Sequence, residues 1–159
     1  MARAGWTPRQ GLLAMAVLCI AGVAAALVGQ HVFDMRPCPW CILQRIMFVL
    51  VAVLCLVGAA VPATALRRAV TWLAVLLSLA GIVTALYQHF VAALSSSCAL
   101  TFADKVITAL HLDALWPAVF EVTGSCADAV VSVLGVPFDF WSAALFAVLA
   151  VLGLGALRR

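Results

Sequence analysis

Cys38-Pro39-Trp40-Cys41 places two thiols three residues apart, and Arg45 follows four residues after the second. A disulfide across so short a spacing constrains the unfolded chain little, so stabilisation is a weak reason for it. Thiol–disulfide exchange suits it better. Proline is favoured in the first helical turn, where its missing N–H would lack a partner anyway. The segment therefore opens a helix, with Cys38 near the N-cap and Cys41 in the first turn. The positive end of the helix dipole favours a thiolate there. Arg45 falls on the same face as Cys41, one turn deeper, and adds a cation beside that sulfur. A structural bridge, a metal clip and, for Arg45, a snorkelling interface cation are the plainer alternatives. Haem attachment needs a histidine directly after the second cysteine, and Ile42 stands there.

Of the six cysteines, Cys98 and Cys126 enclose 27 residues, a size that suits a staple as well as a redox pair. Ser95-Ser96-Ser97 gives a polar approach by which a partner reaches Cys98. Cys19 and Cys55 lie within apolar runs and read as small buried hydrophobes. No second Cys-x-x-Cys and no cluster of Met or His accompanies the thiols, so no metal site is expected.

These groups need elements to hold them. The chain has 159 residues, 67% hydrophobic and 9% charged, with a mean hydropathy of +1.23. Soluble domains run at roughly 45–50% apolar and about 25% charged. An ordinary cytosolic enzyme, a disordered tail and a nucleic-acid module are excluded, since too little polar surface remains to cover the apolar residues. Four apolar runs stand out, at residues 11–30, 42–61, 69–90 and 140–157. About twenty helical residues rise about 30 Å, the thickness of the hydrocarbon core. The expected architecture is a single all-α integral membrane domain, a four-helix transmembrane bundle in the lipid bilayer.

Charge sets the orientation. Arg3, Arg9, Arg67, Arg68, Arg158 and Arg159 lie before the first run, between the second and third, and after the fourth. All six acids lie in residues 31–41 and 91–139. The positive-inside rule puts both termini in the cytoplasm and those two loops outside. A signal peptide at the N-terminus fits less well, because the first run exceeds the usual apolar core of about 7–15 residues. In the long loop, Thr101 and Asp104 form a capping pattern before Val106, Ile107, Leu110 and Ala114, predicting an amphipathic interfacial helix. Trp116 would anchor it and Pro117 limit it. Ser125 and Asp128 repeat the pattern before a second short helix that Gly135 and Pro137 stop. His31 and His111 read as solvated loop residues, and Tyr87 and Trp72 as packing or belt residues.

Cys38, Cys41, Cys98 and Cys126 all fall in the outward loops, where an oxidising exterior lets thiols pair. Four cysteines allow three pairings. Cys38 with Cys41 and Cys98 with Cys126 keeps each loop closed on itself. Two pairs on one face, one exposed and one at the lipid boundary, suggest a relay. A lipid-soluble quinone fits the far end, because it takes the two electrons a dithiol gives. His89 ends the third run on that side, able to hydrogen-bond a quinone or relay a proton.

The chain resembles the disulfide bond formation protein B (DsbB) family over nearly its full length. The resemblance rests on Pro37-Cys38-Pro39-Trp40-Cys41-Ile42-Leu43-Gln44-Arg45, on Tyr87-Gln88-His89, and on Gly124-Ser125-Cys126-Ala127-Asp128. It implies a thiol:quinone oxidoreductase of the bacterial inner membrane with periplasmic active loops. Such a protein re-oxidises a soluble DsbA-like thioredoxin-fold oxidase and passes the electrons to ubiquinone or menaquinone. It also implies roles: Cys98 forms the mixed disulfide with the partner, and Cys126 resolves toward Cys38. Cys41 supplies the thiolate to the quinone, and Arg45 polarises the quinone oxygen and stabilises that thiolate. Trp40 stands where relatives often carry smaller residues, and the stretch from His89 to Cys98 is short beside theirs. Two other readings predict different behaviour. A vitamin K epoxide reductase-like protein would carry its Cys-x-x-Cys late in the bundle. A scaffold with structural disulfides would need no quinone.

Overall fold

The computed structural model describes residues 7–94, 101–128 and 131–158. Four long helices dominate: α1 (Pro8–Val32), α2 (Pro39–Ala60), α3 (Thr64–Phe90) and α7 (Phe138–Leu157). All four are long and apolar enough to cross a membrane, so the set of spans read from composition is present, each helix starting a few residues before its apolar run. Each helix packs on two others, α1 on α2 and α7, α3 on α2 and α7, which closes the bundle. Large apolar side chains such as Val17, Ile20, Leu76, Val83 and Val151 face outward. Only a lipid solvent tolerates that surface.

Local chemistry sets the helix ends. Thr7 caps α1 through a reciprocal pair with Gln10, and Pro8 takes the first helical position. Pro39 opens α2 behind the Cys38 cap. Pro62 follows its end, and Arg67 donates to the last carbonyls of α2, Gly58 O and Val61 O. α2 is the inner helix: 61% of its apolar window is buried inside the protein, against 28–39% for the others. Cys19 and Cys55 are fully buried in that core, as their place in apolar runs implied.

Phe48 and Phe146 stack with centroids 3.9 Å apart at the centre of the bundle. A Cβ on Gly81 would lie 2.5 Å from the Phe146 ring. Phe146 is fully buried and cannot retreat. Gly81→Ala is therefore expected to cost about 1–3 kcal/mol, seen as a lower Tm in detergent. Gly155→Ala has nothing within 4 Å of its new methyl and should hold or raise the Tm, since alanine is the better helix former.

The connection between α3 and α7 departs from the sequence reading in two places. The helix begins as expected, Thr101 accepting from the Asp104 amide at 3.4 Å. It runs only as α4 (Phe102–Leu110), because His111 adopts left-handed backbone, φ 50°. Two single turns follow, α5 (Leu112–Leu115) and α6 (Pro117–Phe120). Ala103 and Ile107 are buried on the inner face of α4, which packs on the start of α2, while Leu110, Ala114 and Trp116 stay exposed. Among the described residues, no helix forms between Ser125 and the hairpin. Ser125 and Asp128 do bond one another, side chain and backbone both ways, but they close a turn. β1 (Ser132–Val133) then pairs antiparallel with β2 (Val136–Pro137). Leu134 and Gly135 both have positive φ, 55° and 80°, as a tight hairpin turn of this hand requires. That turn chemistry overrode the apolar run. Trp141 Nε1 donates to Val133 O at 3.2 Å and seats the hairpin on α7.

Candidate functional site

The start of α2 carries the Cys-x-x-Cys pair. Cys38 is the N-cap, in extended backbone. Its Sγ lies 3.3 Å from Cys41 Sγ, so the pair is a dithiol whose sulfurs meet across the first turn. Cys38 is fully buried and Cys41 half-buried. The hydrogen bond to Cys41, and then burial, push the Cys38 thiol above the ordinary range. Trp40 packs on Tyr87, ring centroids 4.7 Å apart, and its buried Nε1 has no hydrogen-bond partner.

Polar side chains from three helices converge on Cys41. Gln88 Nε2, on α3, donates to Cys41 Sγ at 3.2 Å and to Asp139 Oδ1, on α7, at 3.3 Å. Gln44 Nε2, on α2, donates to Gln88 Oε1 at 2.7 Å. His89 Nδ1 lies 2.9 Å from the other carboxylate oxygen of Asp139. Asp139 is 3% exposed, so its contact with His89 is made away from water.

Arg45 is 5% exposed. Its guanidinium donates to Gln30 Oε1 at 2.6 Å, Val119 O at 2.8 Å and Ala26 O at 3.4 Å. Every partner is a neutral oxygen, and no carboxylate pairs with it among the described residues. A buried cation without an anion is costly and marks function more often than structure.

Arg45 and Cys41 share the wall of one cavity of about 390 Å³ with Gln44, Gln88 and Asp139. Val23, Phe48, Leu145 and Val148 supply its apolar sides. The volume lies within the roughly 300–1,000 Å³ of small-molecule sites, and so does the pattern of apolar walls with a few convergent polar groups. His89 is not on the wall; it stands behind Asp139, 24% exposed, and packs on Phe140.

The second loop docks beside the pair. Thr123 and Gly124 both donate their amides to Pro37 O at 3.1 Å. Only glycine fits at 124, because a Cβ would lie 2.7 Å from Arg36 O. Cys126 follows, disulfide-bonded and buried in the same cluster as Cys38 and Trp40. Cys98 lies outside the described residues. His31 is in the last turn of α1, not a loop, and its Nε2 meets Ala118 O at 2.8 Å.

Of the residues singled out from sequence, Cys38, Cys41, Arg45 and Cys126 thus gather at one end of the bundle. Gln44, Gln88 and Asp139 were missed as site residues. Their signal was present: amides inside apolar runs, and an acid at the mouth of the fourth span.

The family described as disulfide bond formation protein DsbB matches residues 8–156. The chain is 34% identical over 145 residues to "Disulfide bond formation protein B 1" of Pseudomonas syringae pv. syringae (strain B728a), covering 89% of this chain and 84% of the relative. It is 33% identical over 148 residues to the protein of the same description from Pseudomonas putida, covering 91% and 86%. To "Disulfide bond formation protein B" of Burkholderia pseudomallei (strain K96243) it is 34% identical over 145 residues, covering 90% and 85%.

Proposed function

This chain belongs to the DsbB family of disulfide bond formation proteins, and from that premise we propose that it re-oxidises a periplasmic DsbA-like dithiol oxidase and delivers the electrons to a membrane quinone. The observation that carries the reading is the shared cavity wall: Cys41, at a helix N-terminus, and a buried Arg45 that lacks an anion. A quinone accepts two electrons and two protons, the complement of a dithiol closing to a disulfide. Its ring fits an apolar cavity with a cation at one wall, and ubiquinone and menaquinone both meet that description. Arg45 would hold a quinone oxygen, and the Gln88 and Gln44 amides would border it.

The sulfurs work by exchange. A thiolate of the partner attacks Cys98, breaks the bond to Cys126 and leaves a mixed disulfide. The partner's second thiol closes its own disulfide, and Cys98 and Cys126 leave as thiols. Cys126 sits in the cluster that holds Cys38, so the two loops pass the oxidation between them through those sulfurs. Cys41 is the sulfur of the first pair that lines the cavity, which makes it the electron donor there. Thiolate fraction and access set each rate. The protein acts as an enzyme, a protein thiol:quinone oxidoreductase. It sits in the bacterial inner membrane with both termini cytoplasmic.

The test is quinone reduction in liposomes, started with reduced thioredoxin-fold partner and followed by quinone absorbance. Rapid reduction that disappears in Cys98→Ser is expected. A folded protein that reduces neither ubiquinone nor menaquinone would overturn the reading in favour of structural disulfides.

A further inference from the structure

Gln44, Gln88, Asp139 and His89 form one hydrogen-bonded chain across α2, α3 and α7, and Cys41 joins it at Gln88. Three of these four groups can reverse their polarity. A turned amide exchanges its oxygen for its NH2, and an imidazole changes tautomer. The carboxylate cannot, because when ionised it only accepts. Asp139 is therefore the one member whose direction is fixed by its chemistry.

We infer that Asp139 is a positioning residue for Cys41: its carboxylate holds the Gln88 amide with the NH2 toward the sulfur. The reversed amide would set Gln88 Oε1 against both the carboxylate and the sulfur. Lone-pair contacts of that kind cost most where water is excluded, and Gln88 and Asp139 are each about 3% exposed. With Nε2 committed to Asp139 and Cys41, Gln88 Oε1 is left to accept from Gln44. His89 occupies the second oxygen of Asp139 and holds the carboxylate in place. The thiolate of Cys41 thus meets a donor whose orientation is set one residue away, on another helix.

The inference rests on the proposed function only in taking Cys41 as the reactive sulfur, and its test needs neither quinone nor partner. The measurement is the alkylation rate of Cys41 against pH in the reduced, quinone-free protein in detergent. Peptide mass spectrometry separates Cys41 from Cys38. The thiolate is the reacting form. Asp139→Asn offers Gln88 a donor, lets the amide turn, and should slow alkylation at pH 7 by about tenfold, a shift of the rate profile by about one pH unit. Asp139→Glu keeps an acceptor-only group and should stay close to the wild-type rate. A packing role predicts the reverse order, because Asn is nearly isosteric with Asp and Glu is not. Gln88→Leu should slow alkylation as Asp139→Asn does. The double variant should be no slower than Gln88→Leu alone, since one residue acts through the other. Faster alkylation in Asp139→Asn, meaning that the lost negative charge outweighs the amide, would overturn the inference; so would additive losses. If Asp139→Asn does not fold, Gln88→Leu with and without Asp139→Glu carries the same comparison. A protein that shows this coupling yet reduces no quinone would sink the proposed function and leave the inference standing.

Discussion

Cys41→Ser is expected to stop quinone reduction while the bundle stays folded. Among the described residues Cys41 is the only thiol on the cavity wall, and a hydroxyl can neither form the disulfide with Cys38 nor donate the electron pair. The fall should exceed about a thousandfold, as when an essential nucleophile is removed from other enzymes. Serine fills almost the same volume and can still accept from Gln88, so the Tm in detergent should change little. The readout is quinone absorbance with reduced partner, alongside a thermal melt. Normal turnover by this variant would end the relay as an explanation.

Arg45→Met separates function from stability as well. Arg45 is buried and bonded only to neutral oxygens. An apolar chain of similar length relieves the cost of burying that charge but leaves three oxygens without their donor, two effects that oppose one another. The Tm should therefore change little. Catalysis should suffer, because on the proposed reading this cation on the cavity wall meets the negative charge that develops on a bound acceptor. Loss of one such group costs on the order of a hundredfold in kcat/KM, here as a raised quinone requirement. An unchanged dependence on quinone, measured in the same liposomes, would leave Arg45 as a clamp on Val119 O and nothing more.

Much of this arrangement is legible in the residues themselves. The four spans follow from apolar runs long enough to cross a bilayer, and the helix start at Cys38 from Pro39. The register of Arg45 with Cys41 is a matter of one helical turn, and both do face one cavity. What composition hides is convergence. Gln88 and Asp139 are 51 residues apart and meet only because α3 packs on α7. His89 reads as a group able to meet an acceptor; the partner it meets in the fold, Asp139, opens a different helix. The hairpin at Leu134-Gly135 reads as the end of a helix, because a positive φ at a leucine is a decision of the backbone rather than of the side chain. The break at His111 is hidden for the same reason.

The three backbone carbonyls that fasten the second loop have a kinetic meaning. Pro37 O takes two amides, Val119 O takes Arg45, and Ala118 O takes His31. Each such bond is worth about 0.5–1.5 kcal/mol net, and the burial of Phe120 and Cys126 adds to their hold. Held this way, Cys126 stays in the cluster of Cys38, so on the proposed reading exchange between the two runs at the high effective concentration of a tethered group rather than by diffusion.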